Sequence, residues 1–346
     1  MGQLLWIFVQ LLLLTSILPS GQSVSTRGSR GRKKVPKEVN VCSAENPHVP
    51  IFCYCNSDVI RNATEANCLV LTQINRTDPT WSYFDSQVYL QKLKFMAREP
   101  NSLDFVPAQV LRQLKNLQTI TFQAATIHKL AEYAFSNLAT ITTINLRGNS
   151  ISSLGVRAFD NMKSLAVIYL DENQITEINR DTFVNLPSLK ALYLNDNNIS
   201  TLHDKAFKLL TSLEELSLFN NQIKVITADS FHGLTNLVKL DLRNNLIAMI
   251  GDRTFIEMPS LTELELDHNE IVYISEKALD RMRNLRKLRL SKNKLVTLEP
   301  DFLAGAPGVY LLDLRNNLLK TMTFDNIKPI VTNLYNSTSH FYLSGE

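Results

Sequence analysis

The sequence predicts an α/β solenoid of about ten 24-residue repeats, in which every coil adds one short strand to a parallel sheet. Two regularities predict it. Apolar residues recur at Leu117, Ile141, Leu165, Leu189, Leu213, Leu237, Leu261, Leu285 and Val309, and an Asn recurs with the same period at Asn149, Asn173, Asn197, Asn221, Asn245, Asn269, Asn293 and Asn317. One period reads Leu189-Lys-Ala-Leu192-Tyr-Leu194-Asn-Asp-Asn197-Asn-Ile199-Ser-Thr-Leu202, followed by Phe207 and Leu210. Leu192-x-Leu194 alternates with period two, so a short strand turns both leucines inward and Tyr193 outward. Asn197 stands where the strand ends, and its amide can serve backbone groups there and in the adjacent coil.

No coil is expected to fold alone. About seven apolar side chains at roughly 1.5–3 kcal/mol each fall short of about 1.5 kcal/mol of ordering entropy for every residue of the coil. Stacking is therefore compulsory, and it sets the strands about 4.8 Å apart on an inner, concave face. Phe135, Phe159, Phe183, Phe207, Phe231 and Phe255 should stack as a spine on the far side, with Leu279, Leu303 and Ile327 continuing it.

The elements before the coils read in order. Leu4 to Leu18 is almost wholly apolar and is followed by Pro19-Ser20-Gly21-Gln22-Ser23, a secretory signal peptide over 1–23 that is too short for a membrane span. Residues 24–41 form a basic leader, expected to be disordered, with Arg27, Arg30, Arg32, Lys33, Lys34 and Lys37. Three roles stay open for it: a solvated segment, a contact to a heparan-type polyanion, or a processing site. Residues 42–88 hold all four cysteines, Cys42, Cys53, Cys55 and Cys68, within 27 positions. In a secreted chain these read as disulfides capping the first coil. Zinc is disfavoured because CxxC pairs are lacking. A Cys53–Cys55 bond would close a strained ring, and the other two pairings remain open.

The coils occupy 89–346. An early, irregular one begins at Leu90, Leu93 and Phe95 and returns to phase at Leu103, Val106, Leu111 and Leu114, and the next has Ala125 at the ladder position. Phe341 and Leu343 should form the strand of a final, incomplete coil, which needs a cover. Asn62-Ala-Thr64, Asn75-Arg-Thr77, Asn198-Ile-Ser200 and Asn336-Ser-Thr338 are acceptors for N-glycans in an exported chain.

The net charge of +3 comes from the leader, and without it the balance turns slightly negative. Bulk charge therefore argues against nucleic acid as a partner. Catalysis has little support: the six histidines are scattered, and HExxH, GxSxG, phosphate-loop and dinucleotide motifs are missing. No cofactor or metal is expected. Outward strand residues are instead free to carry recognition. Tyr169 and Tyr193 share a column on neighbouring strands with Phe219 nearby, the makings of an interface hot spot or of plain cross-strand packing. Glu263, Glu265 and Asp267 face Lys287 and Arg289 on the next strand. Such strips could form a self-satisfied salt network, dock a protein including an antiparallel second copy, or bind calcium.

The Cys42…Cys53-Tyr-Cys55…Cys68 pattern followed by 24-residue coils resembles extracellular leucine-rich repeat receptors and adhesion proteins over residues 42–346. In similar caps the first cysteine pairs with the third and the second with the fourth, which implies Cys42–Cys55 and Cys53–Cys68. Phe52-Cys-Tyr-Cys55, the irregular first repeat and Tyr133-Ala-Phe-Ser-Asn-Leu138 resemble, more narrowly, the connectin family of insect adhesion proteins. That resemblance implies a horseshoe at the cell surface, protein ligands or self-binding on its concave face, and a lipid anchor. The chain shows neither a C-terminal cysteine cap nor an anchor tail, so incompleteness is expected. A secreted matrix or innate-immune component, proteoglycan-like or pattern-receptor-like, is the alternative role, and dimerisation through the open C-terminal coil is a third.

Overall fold

Leu-x-Leu pairs at 24-residue intervals build one continuous parallel ribbon. In the computed structural model, residues 39–43, 49–97, 103–334 and 339–343 are described. The signal peptide, most of the basic leader and Asn336 lie outside them. Thirteen strands make the main sheet: β1 (Ile51–Cys55), β2 (Glu65–Val70), β3 (Lys92–Ala97), β4 (Thr119–Gln123), β5 (Thr143–Asn145), β6 (Val167–Tyr169), β7 (Ala191–Tyr193), β8 (Glu215–Ser217), β9 (Lys239–Asp241), β10 (Glu263–Glu265), β11 (Lys287–Arg289), β12 (Leu311–Asp313) and β13 (His340–Tyr342). They pair in chain order. The first pair is antiparallel and the rest are parallel. From β5 to β12 the register advances by 24 residues per strand, Tyr169 opposite Tyr193 and Glu265 opposite Arg289. This is a solenoid of about ten turns, as the period predicts.

The core runs along the inside of the sheet. Ile168, Leu170, Leu192, Leu194, Leu216 and Leu218 are all fully buried. The ladder Asn closes each coil with four hydrogen bonds. Asn197 donates through Nδ2 to the carbonyls of Leu170, Leu194 and Asn195, and its Oδ1 accepts from the Ile175 N–H at 3.0 Å. Ala125, which breaks the pattern, gives its own N–H to Asn149 Oδ1 at 2.8 Å.

The residue just before the ladder position adopts the left-handed backbone region in successive coils, at Gly148 but also at Glu172, Asp196, Asn220, Asn244, His268, Lys292 and Asn316. Lys292, with φ of 52°, has no short side chain to ease that conformation. Lys292→Gly is expected to stabilise the fold by roughly 0.5–1 kcal/mol, the relief of left-handed strain less the entropy glycine adds to the unfolded chain. Urea unfolding checks it.

All six phenylalanines of the column are buried, but among the described residues their ring contacts form two runs, Phe135 to Phe183 and Phe231 to Phe255, with Phe207 between them joined to neither, and the column also differs at both ends. Phe135, Phe159 and Phe183 stack with centroids 5.4 Å apart, and Phe122, Phe95 and Phe84 extend the contact toward the cap. Phe95 and Phe122 enter from strands, so column counting on the far side overlooks them. At the other end Ile327 does not continue the spine. Residues Phe324–Leu334 form helix α1, which buries Ile330 and Asn326 and leaves Ile327 half-buried. Phe341 packs against the core from β13, whereas Leu343, beyond the strand, is 47% exposed.

The cap is a β-hairpin, with Cys53 opposite Cys68 across β1 and β2. Disulfides join Cys42 to Cys55 and Cys53 to Cys68. Gln87, fully buried at the end of the cap, ties the cap's segments together. Its Oε1 accepts from the N–H groups of Asn62 and Ala63, and its Nε2 donates to Val59 O and Asn40 Oδ1.

Candidate functional site

Alternation within each strand sends one set of side chains out of the sheet, and their chemistry divides that face in two. Within the strands β4 to β7 the outward residues are uncharged, Thr119, Thr121, Gln123, Thr143, Asn145, Val167, Tyr169, Ala191 and Tyr193, and in the column just beyond them the charged Arg147 is paired with Glu172. From β8 onward charge dominates. Tyr169 and Tyr193 lie at the edge of the uncharged window, their rings stacked with centroids 5.0 Å apart and planes 8° apart. Both are half-buried. The Tyr193 hydroxyl donates to Glu215 Oε2 at 2.9 Å, and burial together with this bond pushes its pKa up to about 12. The phenol is thus held neutral and oriented. Phe219 lies on the next column, under the Arg243 guanidinium at 5.4 Å from the ring centroid.

The charged half is closed on itself. Lys287 Nζ meets Glu263 Oε1 at 2.6 Å, and Lys239 meets Glu215 at 3.5 Å. Arg243 grips buried Asp241 through two hydrogen bonds and approaches Glu265 at 2.9 Å. Glu265, half-buried, has its pKa raised by burial and by neighbouring Asp241. Arg289 lies opposite Glu265 in register and makes no direct ion pair among the described residues. Arg315 repeats the Arg243 arrangement on Asp313 and lies over the Tyr342 ring. Exposed pairs of this kind contribute about 0–1 kcal/mol to stability, but together they leave few free charges to attract a partner.

Asp267 departs from the expected acidic strip. It is 7% exposed, and its Oδ1 accepts from the Ser291 N–H and hydroxyl at 2.8 and 2.7 Å. Asp171 and Asn195 do the same for the N–H groups of Asn195 and Phe219. These positions form a second polar ladder at the strand ends, which sequence reading missed because simple alternation marks them as solvent-facing. Their short acceptor side chains, two residues beyond the last strand residue, were the available signal.

Burial raises the Asp267 pKa against the lowering effect of the Ser291 hydrogen bonds. An acid whose folded pKa exceeds its unfolded value holds its proton more tightly in the native state. Its ionised form therefore costs stability at neutral pH, and the cost fades as pH falls through the raised value toward 3.8. Asp267→Asn keeps an acceptor oxygen and is expected to be more stable than the native chain at about pH 7, with the gap closing toward about pH 4. Denaturant titrations at both pH values measure it.

Asn62, Asn75 and Asn198 are all exposed, Asn198 immediately after a ladder Asn. Among the described residues no group of three His, Cys, Asp or Glu side chains is placed to hold a metal ion, and no helix is long and apolar enough to cross a membrane. The two disulfides fit an oxidising, extracellular compartment.

The leucine rich repeat family model matches residues 139–199, 189–247, 235–295 and 283–328, more than half of the chain. The chain belongs to the leucine-rich repeat family. Within that family it is related to connectin of Drosophila melanogaster, 37% identical over 113 residues, an alignment covering 32% of this chain and 16% of connectin. The Toll receptor of the Toll–Spatzle complex of Drosophila superposes with a TM-score of 0.60 at 22% identity, over 80% of this chain and 38% of that one. TLR13, solved in complex with ssRNA13, gives 0.59 at 22% identity, over 71% and 38%. This chain therefore spans well under half the length of the proteins it matches. The leucine-rich repeat fold in TLR13 accompanies an RNA, so exclusion of nucleic acid on bulk charge finds no support in these comparisons. At such identity the likeness to solved structures establishes the fold alone.

Proposed function

We propose that this leucine-rich repeat chain is an exported recognition protein whose outward sheet face binds a partner protein in cell adhesion. The observation that carries the reading is the uncharged window over β4 to β7, edged by the Tyr169–Tyr193 stack, on a sheet whose other half is neutralised by its own ion pairs. A rigid, half-exposed aromatic pair bordered by uncharged strand residues on one side and by Glu215 on the other is costly to leave in water and cheap to dehydrate on binding. Glu263, Glu265, Lys287 and Arg289 then act as the rim of the surface, and Asp267 as internal support. A leader cleaved near Ser23, a basic segment to 41, a cap over 42–88 and coils from 89 complete the assignment. Glycans on Asn62, Asn75 and Asn198 accompany export, and the one on Asn198 restricts access along one margin of the sheet. Similarity to connectin supports adhesion among the recognition roles.

The test uses beads coated with the purified chain, mixed with each other and with a panel of cells. Clustering or attachment is expected. A chain that does neither refutes the reading.

A further inference from the structure

Seven of the fourteen residues from Arg281 to Lys294 are basic and none is acidic. Across the sheet and just beyond it, the preceding coil balances this charge. Lys287 pairs with Glu263 and Lys294 with Glu270, while Arg289 lies opposite Glu265 in register. Before the strand it does not. Arg281 and Arg283 are exposed, Arg286 is half-buried, and none of the three makes an ion pair among the described residues. The nearby acids are engaged elsewhere, Asp280 with Arg253 and Glu257 with His232.

The coil does not demand arginine on this edge. At the Arg283 position the coils on either side place Pro259 and Pro307, and at the Arg286 position they place Thr262 and Tyr310. Arg286 is moreover held in place. Its Nη1 donates to the carbonyls of Arg283 and Leu285 at 3.0 and 3.2 Å, and Gly308 of the next coil leaves the space the guanidinium takes, since a Cβ there would collide with it. The Nε and Nη2 donors have no partner among the described residues. A guanidinium fixed through one nitrogen, with that fork open, matches an oxyanion that accepts two parallel N–H bonds.

A polyanion would also relieve the mutual repulsion of the three arginines. Basic runs of this length suit nucleic acid or heparin-type chains, and the edge favours the second. Single-stranded nucleic acid needs a series of aromatic platforms, whereas Tyr310 is the one aromatic among the flanking Pro259, Thr262, Pro307 and Gly308. Of the described glycan acceptors the nearest along the chain is Asn198, on the coil of β7, four strands earlier.

We propose that Arg281, Arg283 and Arg286 form a binding site for a sulfated polysaccharide along the edge where this coil enters the sheet. The site rests on the reading of the chain as exported and is separate from both the tyrosine face and the basic leader.

Binding of the full secreted chain to immobilised heparin, followed across salt concentrations, tests it. Arg281→Asn, Arg283→Thr and Arg286→Thr introduce residues that other coils carry at the same positions, Asn185, Thr235 and Thr262, so the triple variant should keep its circular dichroism and melting temperature. It is expected to bind heparin at least about tenfold more weakly, with a slope of log affinity against log salt shallower by about two. Replacing Arg27, Arg30 and Arg32 of the leader by serine removes the same charge and should weaken binding less. Tyr169→Ala should leave heparin affinity unchanged, and desulfated heparin should fail to compete. A native chain without affinity for heparin at about 0.15 M salt, a triple variant that loses no more than the leader variant, or effective competition by desulfated heparin overturns the proposal. Tighter binding of single-stranded RNA through the same three arginines overturns the assignment to polysaccharide. Heparin binding is read directly, so its failure is distinct from a failure of bead adhesion.

Discussion

Asn221→Leu is expected to destabilise the solenoid by about 3–5 kcal/mol, although the substituted side chain has nearly the same volume. Asn221 is 7% exposed and makes four hydrogen bonds. Its Nδ2 donates to the carbonyls of Leu194, Leu218 and Phe219, and its Oδ1 accepts from the Ile199 N–H at 2.9 Å. Leucine leaves those backbone groups buried without partners, at about 1–3 kcal/mol apiece before relaxation. Two of the four belong to the preceding coil, so the damage falls on the interface between coils as well as within one. Asn317, the last of the ladder and only half-buried, should tolerate the same change at markedly lower cost. Chemical denaturation of the two variants side by side measures the difference. Equal losses would show that the side-chain bonds across coils do not set stability.

Tyr169→Ala combined with Tyr193→Ala is expected to weaken partner binding by more than about 2 kcal/mol, roughly thirtyfold, as for a central aromatic anchor. Both rings are half-buried on a sheet face rather than in the core, so the melting temperature should fall far less than binding does. Tyr193→Phe separates two contributions. It keeps the stack on Tyr169 and removes only the hydrogen bond to Glu215, so it should retain most of the affinity. By contrast, reversing the Glu263–Lys287 pair to Glu263→Lys with Lys287→Glu preserves the internal salt bridge and should change binding little. Titration of labelled chain onto responsive cells gives the four affinities. A large loss from the charge reversal with little from the tyrosines would place the contact on the other half of the sheet.

Much of the architecture was legible because each coil repeats one physical problem. The Leu-x-Leu alternation, the Asn ladder from Asn149 to Asn317 and the inward phenylalanines all follow from closing a coil on its neighbours, and the structure has them in those places. The left-handed residue before each ladder Asn was less visible. Gly148, Asn220 and Asn244 have the composition such a site favours, but Glu172, His268 and Lys292 adopt it under the constraint of adjoining coils. Helix α1 escaped for a related reason. Ile327 kept the spine phase, and Pro329 inside the segment argues locally against a helix, yet the segment is helical and buries Ile330.

On the candidate surface, the column of Tyr169 and Tyr193 was readable from spacing, whereas the loss of Asp267 to an internal hydrogen-bonding role was not. Strict alternation assigns Asp267 to solvent. The backbone instead turns just beyond the strand and brings the Ser291 N–H within its reach. The uncharged window over β4 to β7 was present in the sequence too. It gained meaning only when the opposing charges were found paired within the sheet.

Bead aggregation with three proteins tests the central claim most directly: the native chain, the Tyr169→Ala/Tyr193→Ala variant and the Glu263→Lys/Lys287→Glu variant, each confirmed as folded. The account predicts that native and charge-reversed beads cluster or attach to cells to similar extents and that the tyrosine variant does neither. Undiminished adhesion by the tyrosine variant would contradict it.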